Sequence, residues 1–515
     1  MKLDFAKNTR RNVAANSVAR VIALLFPFLN RTLFLWLLGP QYLGLNGLFT
    51  SLLGVLMLAE LGFGTAVICS MYKPIADDDR DLVCAYLSFY RTIYRWVGTV
   101  IFVVGLCLLP FLRSLVKGDL PPGLNLHMLY LLHLVNTSLS YFLFAYRGSI
   151  LGAHHRNDVL TNIRTVVLVT QYATVFLILL VKFLTPSQKY YGYVIATVFF
   201  TVIQNLLIMA ASRRLFPYIA PRGELPKERR SHVLQDVGAI FMHKLGAVIS
   251  YQIDNVVISA FMGLGWVAAY GNYYYVYTTV AGLPAIVYSS MMGGFGNRIH
   301  TASREDNFRL FMRVTRIVGV IIIWCAAMML ALYQPFIEVW MGSKSQNLVQ
   351  PFLTSALLVL LFYVNQSRQV LLTFKGAAGL WHADRWKPVV SGAVKLLTCL
   401  LSVLFLPDAD KLNGVILSSI IGYVLVQIPW ESYVVFTAYF DRKQGRSYWF
   451  HQLKFAMLSV LPCVLTLAAV YAIPMSRTRG LIVKGIVATA VSTAIMMILF
   501  RKDLTAMIDK LLKRR

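Results

Sequence analysis

The sequence predicts an all-α polytopic membrane protein with about fourteen transmembrane helices. Hydrophobic residues make up 58% of the chain, charged residues only 14%, and the mean hydropathy is +0.64. A soluble core could not bury this much apolar surface, whereas apolar runs of about 20 residues recur along the chain, as bilayer-spanning helices require. No stretch between these runs is long enough for a soluble catalytic domain, which argues against a membrane enzyme.

The first predicted span, residues 13–38, carries two arginines inside its apolar run. Arg20 and Arg31 are separated by three helical turns plus about 20°, so both side chains project from nearly one face of the helix. A cation at mid-helix costs about 2.5–3.5 kcal/mol on insertion scales, so such residues usually face a bundle interior or a wet cavity. Glu60 lies at a similar depth in the second span and is an alternative, structural partner for Arg20.

The first span recurs later in the chain. Residues 237–262 repeat its pattern, with Lys244 at the position of Arg20 and Asn255 at the position of Arg31. The Leu38-Gly39 ending returns as Met262-Gly263. Two similar helices with cations on their interior faces predict an internally duplicated transporter with a basic central cavity and an anionic cargo.

The spans predict two lobes of six helices followed by two further helices. The predicted lobes are an N-lobe at 1–212 and a C-lobe at 237–437; a basic cytoplasmic linker at 213–236 joins them, and 438–515 holds the last two helices and a basic tail. An even number of spans places both termini on the cytoplasmic side. The predicted spans are 13–38, 44–72, 94–116, 125–149, 163–184, 190–212, 237–262, 268–293, 314–334, 351–374, 388–406, 413–437, 453–474 and 480–500.

The net charge of +27 could indicate nucleic acid as a partner, but its placement gives a different explanation. Most of the 49 Lys and Arg residues fall in alternate loops and termini on the side of the N-terminus, as the positive-inside bias of membrane proteins predicts. The six cysteines are scattered and none has metal-ligand spacing, so we expect free thiols. We expect no nucleic acid, metal or cofactor.

Several sequence blocks resemble the Wzx-type lipid-linked oligosaccharide flippases, bacterial polysaccharide exporters of the multidrug/oligosaccharidyl-lipid/polysaccharide (MOP) superfamily. The blocks are RTLFLWLLGPQYLGLNGLF, LAELGFGTA, MYKPIADDDRD, GGFGN, PFIEVWMG and RQVLLTFKGAAGLWHADRWKP, at 31–49, 58–66, 71–81, 293–297, 335–342 and 368–388. The resemblance implies a MATE/MOP-like fold in the bacterial cytoplasmic (inner) membrane. It implies a cargo of undecaprenyl-pyrophosphate-type sugar repeat units, moved by alternating access, with membrane lipids and glycan-assembly enzymes as partners.

With that cargo, Arg20, Arg31 and Lys244 are the predicted pyrophosphate-binding residues, because guanidinium and ammonium groups bind phosphate oxygens. Each lies near enough to a helix end for its charge to reach the membrane surface instead. Glu60 and Asp254 are acids within spans, with two open interpretations: proton or sodium coupling, or structural pairing with a cation.

Weaker predictions concern sugar contacts. A polar stripe in the tenth span and tyrosines at the start of the eighth could bond or stack on sugars; packing between helices explains both equally well or better. Asn255, at the repeat position of Arg31, belongs to the same weaker set. The full set is Asn255, Asn365, Gln366, Arg368, Gln369, Tyr270, Tyr273, Tyr274 and Tyr277.

Two other functions remain open on the sequence. A MATE-type cation-coupled drug exporter should have an acidic cavity, whereas here cations within spans outnumber acids. A glycan-assembly enzyme requires a large external loop, and the predicted spans leave none.

The acidic run at 77–81 resembles a metal cluster, but its position before an amphipathic stretch favours a helix cap. The chain contains no G-x-x-x-x-G-K-[ST] phosphate loop.

Overall fold

The computed structural model describes residues 5–60, 63–118, 120–342, 348–380, 382–475 and 477–501, and a few stretches within them, among them 235–247, have no described side chains. The chain forms two compact units, Met1–Ala268 and Ala269–Arg515. The first unit therefore includes the seventh predicted span, which the sequence placed in the C-lobe. The lobe boundaries based on the repeat stay a prediction.

Unit 1 is built from helices connected by short turns. Its helices are α1 (Phe5–Leu37), α2 (Pro40–Leu56), α3 (Phe63–Ala76), α4 (Arg80–Cys107), α5 (Leu126–Phe142), α6 (Gly148–Ala153), α7 (Asn157–Leu180), α8 (Pro186–Leu215), α9 (Lys227–Phe261) and the first turn of α10 (Leu264–Thr301). Helix α1 packs on α7, α5 packs on α4 and α8, and α2 packs on α9.

Unit 2 contains the rest of α10 and seven further helices. They are α11 (Arg304–Met341), α12 (Phe352–Ala377), α13 (Lys387–Phe405), α14 (Lys411–Ile421), α15 (Ile428–Ala438), α16 (Arg442–Tyr471) and α17 (Arg477–Leu499), and a π-helical turn, Gly422–Gln427, joins α14 to α15. Helix α11 is the central element, packed against α12, α16 and α17.

The all-helical membrane architecture is confirmed, and the number of candidate spans in the described residues is smaller than the fourteen predicted. Nine helices in the described ranges are long and apolar enough to cross a bilayer, and two bent helix pairs raise the number to eleven. All fourteen predicted spans overlap a helix or a helix pair. Fourteen spans, and both termini on the cytoplasmic side, stay predictions.

Side-chain caps fix several helix starts. Asp79 accepts a hydrogen bond from the backbone N of Leu82 at the start of α4, so the acidic run at 77–81 contains the predicted cap. Thr185 and Gln188 form a reciprocal capping box at α8, and Asp441 and Gln444 form another at α16. These caps satisfy backbone N–H groups that would otherwise lack partners.

The helix ends of the internal repeat have the same geometry. Gly39 and Gly263 have φ angles of 100° and 103°, a region that side chains rarely allow. The N–H of Gly39 bonds to the carbonyl of Phe34 at 3.2 Å, and that of Gly263 bonds to the carbonyl of Ile258 at 3.0 Å. Both bonded pairs are related by the 224-residue offset of the sequence repeat. The repeat therefore extends to the backbone that ends each helix.

Helix α2 approaches α9 and the first residue of α10 through small residues. A Cβ on Gly44 would lie 1.9 Å from the carbonyl oxygen of Leu264, and one on Gly54 would lie 2.6 Å from the Gln252 amide nitrogen. Between them, Ser51 accepts a hydrogen bond from Asn255 at 2.8 Å. Small residues let two membrane helices approach closely enough for van der Waals contact along their length.

Candidate functional site

The two arginines of α1 lie away from the main exposed apolar stripe of this helix. Four of the exposed apolar side chains of this helix form one stripe, which contains Val18, Val21, Leu25 and Leu29; Leu24 is also exposed and lies on the side of the arginines. At 100° per residue, Arg20 and Arg31 lie about 140° around the helix from that stripe. Arg20 is exposed and Arg31 is half-buried, with its Nη2 3.5 Å from the carbonyl oxygen of Ala268. Because an exposed apolar stripe is suited to lipid, the face that carries the arginines is the one better suited to a bundle interior or a wet cavity.

Helix α9 contributes an amide and a carboxylate. Asn255, the repeat counterpart of Arg31, is half-buried and donates to Ser51 of α2. Asp254 is buried within the same turn. The side chain of Lys244, the third predicted phosphate ligand, lies outside the described part of the chain.

Glu60 lies where two broken helices meet. It ends a short 3-10 turn, Met57–Glu60, that follows α2, and its Oε1 accepts a hydrogen bond from Tyr94 at 2.6 Å. Tyr141 donates to the other carboxylate oxygen, one residue before α5 ends and the chain bends by 46° towards α6. The partners of Glu60 in the described residues are thus phenol groups, and the suggested pairing with Arg20 is not formed. Broken membrane helices with a polar group at the break are a common setting for ion and substrate sites.

The polar stripe of the tenth predicted span is organised by Asn365. Its amide nitrogen donates to Tyr277 at 2.8 Å, and its oxygen lies 3.3 Å from both the Arg368 Nε and the Gln369 amide. The backbone carbonyl of Gln366 accepts a hydrogen bond from Tyr288. The stripe therefore cross-links α12 to α10 within unit 2.

Arg368 leads into a buried ion cluster that the sequence did not predict. The Oε1 atom of Glu431 lies 2.7 Å from Arg368 Nη1 and 2.6 Å from Lys387 Nζ. Lys387 also pairs with Asp384 at 3.0 Å, and Lys375 donates to the same Asp384 oxygen. All five residues are less than 9% exposed. Three cations and two carboxylates thus join α12, α13, α15 and the turn before α13.

The neighbouring lysines lower the pKa of the Asp384 carboxyl. Burial alone would raise the pKa of this carboxyl, but the adjacent Lys387 and Lys375 hold it below its ordinary value. Asp384 is therefore ionised at neutral pH, and the cluster retains one more positive than negative charge. The available signal in the sequence was the density of charged residues within 368–388, a stretch between two apolar runs.

The tyrosines of α10 divide into two groups. Tyr270, Tyr274 and Tyr277 stack successively along the helix, with ring centroids 5.3 Å and 5.0 Å apart. Tyr273 points elsewhere, because its hydroxyl accepts a hydrogen bond from the backbone N of Gln350 at 2.8 Å and its ring stacks on Tyr333. Tyr274, only half-buried, is the tyrosine of the predicted sugar-contacting set with the most accessible ring.

The predicted residues therefore fall into separate groups. Unit 1 holds the polar face of α1, the Asp254–Asn255 turn of α9 and Glu60 with its tyrosines. Unit 2 holds the α12 stripe, the tyrosine stack and the ion cluster. Among the described residues, no three His, Cys, Asp or Glu side chains are grouped so as to hold a metal ion.

Comparison with known proteins gives a family and a fold. The family model described as "Polysaccharide biosynthesis protein" matches residues 9–292. No curated protein sequence matches the chain.

Solved structures match over most of the chain. Lipid II flippase MurJ in an inward closed conformation has a TM-score of 0.67 at 14% identity, covering 95% of this chain and 99% of that one. An inward-facing multidrug resistance MATE family transporter of the MOP superfamily has a TM-score of 0.58 at 14% identity, covering 81% and 98%. A mutant of the Vibrio cholerae MATE transporter VcmN has a TM-score of 0.54 at 14% identity, covering 83% and 97%. At these identities the likeness concerns the fold alone.

Proposed function

Since this chain belongs to the polysaccharide biosynthesis protein family, we propose that it moves polyprenyl-pyrophosphate-linked oligosaccharide repeat units across the cytoplasmic membrane. The resemblance to polysaccharide exporters is confirmed, and the chain is a multi-pass integral membrane protein of a transporter family with a MurJ- and MATE-like fold. The mechanism we propose is alternating access. No covalent bond of the cargo changes.

The observation that carries this proposal is the pair of arginines on the face of α1 opposite its main exposed apolar stripe. A membrane helix with cations opposite its lipid-suited stripe needs an anionic or wet environment on that side. A lipid-linked pyrophosphate supplies two phosphates whose oxygens match the planar, forked donors of Arg20 and Arg31. Lys244, at the repeat position of Arg20, would add a third cation.

Other groups would contact the sugars and couple transport to an ion. The half-buried Gln369 and Tyr274 are the accessible members of the α12 stripe and the tyrosine stack. An amide can bond sugar hydroxyls and a tyrosine ring can stack on a sugar face. Glu60, held between two phenols at two helix breaks, is the proposed proton or sodium site. The surface polysaccharide assembled from the cargo would lie outside the cytoplasmic membrane.

A flipping assay in proteoliposomes tests the phosphate assignment. A pyrophosphate-linked oligosaccharide lipid with a labelled sugar is loaded, and its exposure on the far leaflet is followed with an impermeant glycosidase. Arg20→Gln and Arg31→Gln should each reduce the flipping rate at least tenfold, since charge-assisted hydrogen bonds contribute about 1.5–3 kcal/mol each.

Lys454→Gln is the matched control. Lys454 is an exposed cation within α16, flanked by the exposed apolar side chains of Leu453 and Met457. Its neutralisation should leave flipping unchanged. Flipping at the wild-type rate by folded Arg20→Gln and Arg31→Gln variants would exclude these arginines as the phosphate site.

A further inference from the structure

A cavity of about 510 Å³ lies between the end of α15 and the start of α16, and none of the groups assigned to the cargo lines it. Arg442 and Arg446 of α16 line it, together with Ser432 and Phe436 of α15. Gly445 makes this close approach possible, because a Cβ there would lie only 3.0 Å from the Phe436 ring. The cavity therefore combines two cations with an apolar wall.

The two arginines are available to a ligand. They are one helical turn apart, both are exposed, and neither forms an ion pair with any residue in the described ranges. Two carboxylates at the start of α16 and α11 have other partners. Asp441 accepts a hydrogen bond from the backbone N of Gln444 as the helix cap, and Glu305 accepts one from the Gln444 side chain at 3.2 Å. The cavity mouth thus carries two positive charges that the described residues do not neutralise.

A buried hydroxyl lines the same cavity. Ser432 is 6% exposed, and its Oγ has no hydrogen-bond partner among the described residues. Buried hydroxyls nearly always have a partner, because leaving one unpaired is unfavourable. An acceptor oxygen in the cavity would satisfy Ser432 and face Arg442 and Arg446 at the same time.

The position of the cavity identifies the kind of ligand. The candidate span ending at Ala438 precedes the cavity and the one beginning at Arg442 follows it, so it lies at the level of the membrane surface. Tyr433, Trp449 and Phe450 are exposed around it, as aromatic residues at the lipid headgroup level typically are. Trp449 also lines a second cavity of about 230 Å³, which continues along α16; most of its lining is apolar or aromatic, and Arg368 and Gln452 also contribute to it.

We propose that this cavity binds the phosphate headgroup of an anionic membrane phospholipid. Arg442 and Arg446 pair with the phosphate, Ser432 donates to one of its oxygens, and an acyl chain passes Trp449 into the second cavity. Basic pockets between membrane helices are suited to such headgroups. The proposal requires no particular transported cargo, and on the proposed topology the lipid belongs to the cytoplasmic leaflet.

Lipid binding to the purified, delipidated full chain tests this proposal. Phosphatidylglycerol and phosphatidylcholine are titrated separately, and bound lipid is counted by native mass spectrometry. We expect wild type to prefer phosphatidylglycerol. The double variant Arg442→Gln/Arg446→Gln should weaken phosphatidylglycerol binding roughly 30-fold, and Ser432→Ala roughly tenfold.

The matched control is Lys443→Gln/Lys454→Gln, which removes the same charge from exposed positions of the same helix that do not line the cavity. This variant should bind phosphatidylglycerol as wild type does. Thermal unfolding in detergent checks that every variant is folded.

Three results would overturn the proposal: equal binding of the two phospholipids by wild type, unchanged affinity in the double arginine variant, or an equal loss in the control. A polyprenyl pyrophosphate added in competition distinguishes a second source of phosphate. If polyprenyl pyrophosphate displaces bound phosphatidylglycerol at a concentration lower than that at which phosphatidylglycerol fills the cavity, the cavity is a cargo site. The phospholipid assignment is then wrong.

Discussion

Glu431 is the residue on which the buried ion cluster of unit 2 depends most. One of its oxygens lies within 2.7 Å of both Arg368 and Lys387, and the side chain is fully buried. Replacing such a carboxylate leaves two cations buried without their partner, and breaking a buried pair destabilises by about 3–5 kcal/mol.

We therefore predict that Glu431→Gln lowers the free energy of unfolding by about 3–5 kcal/mol, measured by denaturation in detergent. Glu305→Gln is the control, because its pair with Arg309 is exposed and such pairs contribute about 0–1 kcal/mol. Equal, small effects of both substitutions would contradict the central role of Glu431.

Asp384 predicts a dependence of stability on pH. Lys387 and Lys375 hold its folded pKa below the unfolded value of about 4. A lowered pKa means that the ionised carboxylate stabilises the fold above about pH 4, and that this contribution is lost as the pH falls through the folded pKa.

The melting temperature of wild type should therefore fall on acidification below about pH 4, and Asp384→Asn should be less stable at pH 7 and less sensitive to acid. Asp408→Asn is the matched control. Asp408 pairs with Lys411 at the same three-residue spacing, but its side chain is 86% exposed. An acid response of Asp384→Asn as steep as that of wild type would exclude Asp384 as a source of the pH dependence.

The sequence indicated side-chain contacts within one helix, but it could not indicate contacts between helices that are distant along the chain. Asn365, Gln369 and Arg368 are three and four residues apart, so helical periodicity alone predicted their cluster. Glu431 lies far along the chain from Lys387 and Arg368, and its pairing depends on how α12, α13 and α15 pack. Asp384 required knowledge of the turn before α13, which periodicity does not describe.

The main prediction for a helix concerns Gly39, the glycine that ends α1 and has a counterpart in the repeat. Gly39 has φ 100° and ψ 173°, a conformation essentially restricted to glycine, and a Cβ there would contact nothing within 4 Å. The cost of Gly39→Ala is therefore conformational, about 1–3 kcal/mol of unfolding free energy.

Thermal or chemical unfolding of Gly39→Ala in detergent measures this cost. Gly265→Ala is the control, because its Cβ also has open space but its backbone has no positive φ. Gly265→Ala should be neutral or slightly stabilising, since alanine favours a helix over glycine. Equal effects at both positions would show that the backbone at Gly39 is not strained by a side chain.

The positions of the helices were the most predictable part of this fold. The recurrence of Leu38-Gly39 as Met262-Gly263 anticipated matching helix ends, because only glycine reaches that φ easily. The broken second span was not predicted, because hydropathy continues through 44–72 while the backbone changes at Met57–Glu60. Hydropathy reports membrane burial and is insensitive to such a break.

For the whole molecule, the proposed spans predict which side of the membrane each loop faces, and three of these spans separate Gly118 from Gly223. After removal of the native cysteines, single cysteines at Gly118 and Gly223 should react from opposite sides of the membrane. Both glycines are exposed and lie in turns outside the helices, so a thiol at either position should be accessible. Labelling of both from the same side would contradict the fourteen-span arrangement.

The transported cargo is the property of the whole molecule that follows least from the sequence. The fold is shared with a lipid II flippase and with multidrug resistance transporters, and the family is described only by polysaccharide biosynthesis. The cations on the polar face of α1 favour an anionic cargo, and this preference can be measured directly.

The decisive measurement compares two cargoes in the same proteoliposomes. One arm follows flipping of a labelled pyrophosphate-linked oligosaccharide lipid, and the other follows transport of a cationic dye under imposed proton and sodium gradients. We predict that the lipid-linked oligosaccharide is flipped and that the dye is not moved above protein-free liposomes. Dye transport without oligosaccharide flipping would contradict the proposed function and indicate a drug exporter.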